Sequence, residues 1–435
     1  MRKKHVTDLN RRSYIKAAGA GISLTAIAGC TGGDGGDGGS DGGDGGGDGG
    51  GDGGSTGDGG GGSDEPIMVS SLQPLSGVFA QYGPRHSRGA DYACQEINAN
   101  GGVLGREITA NHVDTASDGE EAATALLNHI EQGAVAGIGP GSSDAAVLAG
   151  QTANDEGVPL FLHAAGGSSI TAPPNDYIFR TNLAATPQSA QAQAHMIEDR
   201  GYTKGAVIYE EGLWGDEFKA GVEEYFPDGV ELQSDSAPIP EQDFTPLLRN
   251  FDSDIEFFLG SGHPAGVSQM YPQILELGFN DLELVTAAIT PMEADWQENG
   301  ESLAQKTYTS FSHPDFYSDS YAEVAAKYLE DTGDTFDSAQ AGGYIAIKLI
   351  AAALEEAGEV NTEAMAEVLH EGSYDFGIYG FPIEYSSTGD LEGVVQIYNT
   401  WNPGESPDHW PDVGFSPEEV YRTDPLPAYD HSLEI

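Results

Sequence analysis

The chain has 435 residues, and 70 Asp plus Glu against 18 Lys plus Arg leave a formal net charge of −52. That length accommodates two domains, and so acidic a balance leaves no basic patch for nucleic acid and is repelled by an anionic membrane surface. Beyond Cys30 the only thiol is Cys94, so no intramolecular disulfide can form there and the fold must stand on its core.

The basic start Arg2-Lys3-Lys4 and the run Arg11-Arg12-Ser13-Tyr14-Ile15-Lys16 resemble a twin-arginine export signal, expected over residues 1–29. The apolar stretch Ala17 to Ala28 is too short and too Gly-rich to span a membrane as a stable helix. It ends Ile27-Ala28-Gly29-Cys30, which resembles a lipobox and makes Cys30 the expected lipidated residue. Residues 30–65 are almost only Gly, Asp and Ser, a composition that cannot bury a core and reads as a solvated tether. Six basic residues precede Cys30, so the remainder is more acidic still. Its acids are dispersed over the expected helices, as at Glu120-Glu121, Glu223-Glu224, Glu355-Glu356 and Glu418-Glu419, which resembles proteins adapted to molar salt.

From Pro66 the composition is that of a packed domain. Apolar runs at Ile67–Leu72, Glu107–Val113, Val135–Ile138, Val158–Leu162 and Tyr177–Arg180 predict strands. Helical spacing over Pro84–Asn98, Gly119–Ile130 and Asp144–Asn154 separates them, the second helix begun by Ser117-Asp118. The alternation implies parallel pairing with right-handed crossovers. It restarts after a connection at Asn182–Pro187, with helices at Gln188–Arg200, Gly215–Phe226 and Pro264–Leu277 among strands at Ala206–Tyr209, Glu231–Ser234, Ile255–Leu259 and Leu282–Thr286. Helices are then expected at Tyr317–Glu330, Asp337–Ala357 and Thr362–Glu371. Phe381–Tyr385 and Val394–Trp401 read as a closing antiparallel pair, and residues 403–435, rich in Pro and aromatics, as an irregular tail.

Two successive strand ends carry small residues, Gly139-Pro140-Gly141-Ser142-Ser143 and Ala164-Ala165-Gly166-Gly167. In open α/β sheets the carboxyl edge is where ligands lie. Ser142 and Ser143 begin a helix, where hydroxyls and free N–H groups suit a carboxylate, although helix capping alone explains them almost as well. Gly137-Ile138-Gly139-Pro140-Gly141 imitates the start of a dinucleotide fingerprint, but position six is Ser142 and the next strand ends in His163 rather than an acid. From Pro66 onward no GxSxG, HExxH or CxxC is present, so neither a nucleophile elbow nor a metal site is indicated, and no cofactor is expected.

The segments LQPLSGVFAQYG, GADYACQEINANGGVLGREI, VDTASDGEEA, the GPGSS turn, NDEGVPLF, IFRT, KGAVIYEEGLWGDEF, DFTPLLRNF and STGDLEG resemble, in that order, extracellular solute-binding proteins of branched-chain amino-acid ABC importers. The resemblance covers Ile67 to about Trp401. It implies two Rossmann-like α/β lobes joined by three hinge strands, with lobe 1 at 66–184 and 313–388, lobe 2 at 185–312 and 389–402, and a ligand trapped between them. The hinge crossings would fall near Thr181–Pro187, Ser310–Pro314 and Glu384–Val394. Position by position, Ser143 with Ser142 would hold a ligand carboxylate, Tyr82 would close over the ligand, and Trp214 would line the pocket from lobe 2. The second turn, Ala164-Ala165-Gly166, lacks the Ser or Thr that meets an amino-acid head group. The stretch Val285 to Ile289, with Ala288 at the matching position, lacks the carboxylate that meets its ammonium. An unpaired buried ammonium is costly, which points to a ligand without one. His263 replaces an aromatic, and serves equally as a donor to the ligand or as a helix-start residue. The resemblance implies binding and delivery of a small amino acid, amide or carboxylate to ABC permease subunits, with no catalysis. A sensing subunit of the same fold is the alternative, and a dinucleotide enzyme a weaker one.

Overall fold

The computed structural model describes residues 65–433 apart from 239–240, 262, 280–281, 287–306, 310–313, 405 and 412–413. The export-signal stretch, Cys30, nearly all of the tether, Ala288 and most of the second expected hinge crossing lie outside the described residues.

Two sheets organise the described chain. The first contains β1 (Ile67–Gln73), β2 (Ile108–Asp114), β3 (Ala134–Ile138), β4 (Leu160–Leu162) and β5 (Ile178–Arg180), in the order β2-β1-β3-β4-β5. All four pairings are parallel. The connecting helices α1 (Gly83–Ala99), α2 (Gly119–Glu131) and α3 (Ser143–Glu156) begin just beyond strand ends, as the sequence alternation requires. Asp118 caps α2, accepting from the N–H groups of Glu120 and Glu121 at 2.9 and 3.0 Å, and so satisfies two donors that the helix cannot.

The chain leaves this sheet at Arg180 and enters α4 (Thr186–Arg200), followed by β6 (Lys204–Glu210), α5 (Leu213–Tyr225), β7 (Glu231–Ala237), α6 (Thr245–Leu248), β8 (Phe257–Ser261), α7 (Pro264–Glu276), β9 (Glu283–Thr286) and β10 (Thr307–Thr309). These strands join β11 (Ile397–Pro403) and β12 (Phe415–Arg422) in a second sheet of order β12-β11-β10-β9-β8-β6-β7. Pairing is parallel from β7 to β10 and antiparallel for β10–β11 and β11–β12.

Between the two passages lie α8 (Asp319–Thr332), α9 (Ser338–Ala357) and α10 (Thr362–Glu371). Helix α9 packs on α1 at near-backbone distance. A Cβ on Gly89 would lie 1.9 Å from the Gln340 carbonyl, and one on Gly343 would lie 2.0 Å from that of His86. Glycine on both helices is therefore what lets α9 seat α1 beside the sheet edge.

The tail departs from expectation. Residues 397–403 pair with 415–422, inside the segment expected to be irregular, and not with 381–385. Tyr385 instead bridges Leu391, Ile383 bridges Tyr374, and Leu426 bridges Val394. Strand β12 carries Pro417 and three charges, Glu418, Glu419 and Arg422. That composition disguises a strand but is tolerated at a sheet edge, where charge and proline also block further pairing. No helix among the described residues is long and apolar enough to cross a membrane.

Candidate functional site

The carboxyl edge of the first sheet gathers the two small-residue turns. Ser142 is the N-cap of α3, and its hydroxyl accepts from the Ala145 N–H at 3.3 Å. Ser143, one residue on, accepts from the Gly167 N–H at 3.0 Å. Both side chains are buried. Ser142 therefore does what a cap does, whereas Ser143 ties one turn to the other and keeps its own hydroxyl proton to donate.

The second turn is held from beneath by Arg180, a residue that sequence reasoning missed. Its guanidinium donates to the carbonyls of Ala165 and Gly167 at 2.9 and 2.6 Å, to the Thr171 hydroxyl at 3.0 Å and to Asp390 Oδ1 at 2.6 Å. The other Asp390 oxygen meets the Thr388 hydroxyl at 2.9 Å and His431 Nε2 at 2.7 Å. Burial opposes ionisation of Asp390, but Arg180 and His431 outweigh it and hold its carboxyl below the usual range. The only sequence signal was a charged residue ending a buried strand, which demands a partner without naming it. Ala165, expected at the ligand, packs its methyl in the core with Leu162, Ile170 and Ile178, and Ala164 is half-buried beside it.

The second sheet meets this edge. Trp214, at the start of α5, lies so close over Gly166 that a Cβ there would fall 2.3 Å from its Cζ3. Glu217, one turn further on, accepts from the backbone N–H groups of Ser168 and, at 3.1 Å, Ser169. His263 caps α7 by backbone only, and its N–H and Nδ1 both meet the Glu210 carboxylate, at 2.6 and 2.5 Å. The ring of His263 lies 4.4 Å from that of Phe79 and 6.4 Å from that of Trp214, centre to centre. Phe79 thus makes an aromatic contact with the second-sheet histidine, while Tyr82 stacks toward His86 at 6.2 Å. A second-sheet carboxylate does exist at this edge, Glu210 at the end of β6, but its oxygens go to His263.

Beneath Tyr82 lies a polar group that sequence reasoning also missed. Gln73, the last residue of β1, His86 in the first turn of α1 and His163 just past β4 are all fully buried. Desolvation holds both imidazoles neutral, His163 with its pKa down at about 3 and His86 well below the usual value, with His163 and Arg85 adding to the effect at His86. Among the described residues, no cluster of His, Cys, Asp and Glu could hold a metal ion. Cys94 is buried, and desolvation raises its thiol to about 12, out of reach of thiolate chemistry.

A model of the periplasmic binding protein family matches residues 66–399. The chain belongs to that family. A Leu/Ile/Val-binding protein homolog from Brucella melitensis is 25% identical over 349 residues, covering 78% of this chain and 92% of the relative. Among solved structures, a leucine binding protein from Thermotoga maritima superposes with a TM-score of 0.70 at 20% identity, covering 82% of this chain and 99% of that one. A solute binding protein of an ABC transporter from Rhodopseudomonas palustris, in complex with 3,4-dihydroxy benzoic acid, superposes with a TM-score of 0.72 at 20% identity, covering 84% and 98%. These likenesses establish the fold, that of the type I periplasmic binding proteins, two lobes built one on a parallel sheet and the other on a largely parallel sheet with two antiparallel strands at its edge. In this periplasmic binding protein the two turns, Trp214 and His263 come together where carboxyl edges of the two sheets face one another.

Proposed function

We propose that the chain is the substrate-binding component of an ABC importer, held outside the cell by lipid on Cys30 after twin-arginine export, which closes on a small solute and delivers it to permease subunits. One observation carries the reading. Side chains of the second sheet, Trp214, Glu217 and His263, reach residues of the first, Gly166, Ser168, Ser169 and Phe79, around a pair of turns rich in N–H donors. A ligand that contacts both lobes favours their meeting by its differential affinity for the closed arrangement.

The solute is a small carboxylate, amide or amino acid. Where the solute carries a carboxylate, that end is assigned to the α3 N-terminus and the Ser143 hydroxyl, a place of positive partial charge. The Rhodopseudomonas neighbour's aromatic acid has no ammonium group, which agrees with the engagement of Glu210 by His263 rather than by a ligand.

A thermal-shift screen at high salt against amino acids, their amides, short carboxylates and urea tests this. A ligand at about a thousand times its Kd adds roughly 4 kcal/mol of apparent stability. Absence of a shift with every class would remove the proposal. Lipid anchoring is tested separately by mass spectrometry of the mature N-terminus, where an unmodified Cys30 would sink it.

A further inference from the structure

Three fully buried side chains at the first-sheet edge carry polar atoms without a hydrogen-bond partner among the described residues: Gln73 Oε1, His163 Nδ1 and both ring nitrogens of His86. Buried polar atoms are nearly always paired, so such a group calls for a partner from outside the chain. We propose that Gln73, His86 and His163 form a subsite for an uncharged amide-type group, one presenting a carbonyl acceptor beside an N–H donor. The proposal rests on the binding-protein reading above and names the chemistry its ligand carries.

The polarity of the subsite follows from a hydrogen-bond chain that ends at the surface. Asp91 can only accept, so in a neutral His112 ring the 2.9 Å contact to Nε2 places the proton on Nε2. His112 Nδ1 is then an acceptor, and the Ser71 hydroxyl, 2.8 Å away, donates to it. Ser71 in turn accepts from Gln73 Nε2 at 3.1 Å, and the same amide nitrogen lies 3.0 Å from His163 Nε2. Both amide protons of Gln73 are committed, so its Oε1 is an acceptor and His163, with Nε2 accepting, carries its proton on Nδ1. The chain thus delivers one acceptor and one donor to the same place. His86, its ring centre 4.1 Å from that of His163, adds one more of each when neutral.

The fold brings them together because β3 runs between β1 and β4 and ends in Gly139-Pro140-Gly141, so Gln73 and His163 meet over a strand end without polar side chains. Charge selects among occupants. An ammonium would find no carboxylate among these side chains. A carboxylate would set its oxygens against Gln73 Oε1 and the unprotonated nitrogen of His86 unless that ring took up a proton, which burial and Arg85 both oppose. An amide satisfies donor and acceptor together at no cost in charge.

The test uses the full chain at high salt and calorimetry with matched probes on two skeletons: isovaleramide, isovalerate and isoamylamine, then benzamide, benzoate and benzylamine, with leucine alongside. On at least one skeleton the amide is expected to bind roughly tenfold or more tighter than its acid and amine. The heat should not depend on the buffer's ionisation enthalpy, because no proton is taken up. Gln73→Leu and His163→Phe should each remove most of that preference, and if either variant fails to fold the wild-type series still decides. Amides no better than their acids and amines, proton uptake on binding, or a preference untouched in a folded variant would mean that the subsite holds only water and would overturn the inference. Leucine binding with no amide preference would overturn it while leaving the binding function standing. No binding by any of the seven probes or in the wider screen would remove both.

Discussion

Arg180 Nε and Asp390 Oδ1 stand 2.6 Å apart with neither side chain exposed, although 210 positions separate them. The pair fastens the turn that meets the second lobe to the chain's last crossing, and His431, from the tail, completes it.

Removing one member of that pair leaves a buried charge without its partner. Arg180→Met is expected to cost about 3–5 kcal/mol, read from urea unfolding. His431→Ala removes one charge-assisted bond and should cost less, about 1–3 kcal/mol. Equal stability of Arg180→Met and the wild type would show that the network does not support the turn.

Gly166 faces the Trp214 ring so closely that any Cβ must displace it. Gly166→Ala should therefore weaken ligand affinity by about 1–3 kcal/mol, the usual range for overpacking, or roughly five- to 150-fold. The lobe-1 core is untouched, so the unfolding midpoint without ligand should change little. Calorimetry and unfolding on the same sample check both halves.

Glu217 accepts two backbone N–H groups from the opposite lobe. Glu217→Gln exchanges a carboxylate for an amide with a single acceptor oxygen, leaving one donor poorly met at about 1–3 kcal/mol. The loss should appear as faster ligand release in stopped-flow experiments; an unchanged release rate would place this contact outside the closing motion.

Stability should fall with acidification from about pH 6.5. His163, with its native pKa near 3 against an ordinary 6.5, stays neutral while its unfolded counterpart takes up a proton. His86, shifted in the same direction, adds to this. The unfolded state binds more protons throughout that window, so stability rises with pH across it, by about 1.4 kcal/mol per unit for each fully linked group. The lowered carboxyl of Asp390 adds a loss of the same sign only below its ordinary 3.8. His163→Gln should flatten the profile of ΔG against pH between 6 and 4, measured by urea titration at each pH.

With a net charge of −52, self-repulsion should dominate at low ionic strength. Raising salt shortens the screening length to about 3 Å at molar concentration, and the melting temperature is expected to climb steeply with KCl. A melting temperature independent of salt would contradict the reading of the dispersed acids as an adaptation to brine.

What the chain's order of residues determined by itself was local. Strand and helix positions follow from periodicities of two and 3.6, caps such as Asp118 and Ser142 follow from side chains that reach their own helix, and small residues at strand ends mark the turns at the carboxyl edge of the sheet. Those signals span a few residues and survive without any partner. Tertiary structure alone decided which buried polar groups meet: Gln73 with His163 across 90 positions, Arg180 with Asp390, Glu217 with Ser168, and β12 with β11. Neither residue of such a pair carries a local preference for the other. Their energies arise only after the packed sheets have excluded water, because desolvation is what makes an unmet donor, acceptor or charge expensive. Strand β12, charged and proline-bearing, became a strand for the same reason: the free edge of β11 supplied hydrogen bonds that its own sequence did not announce.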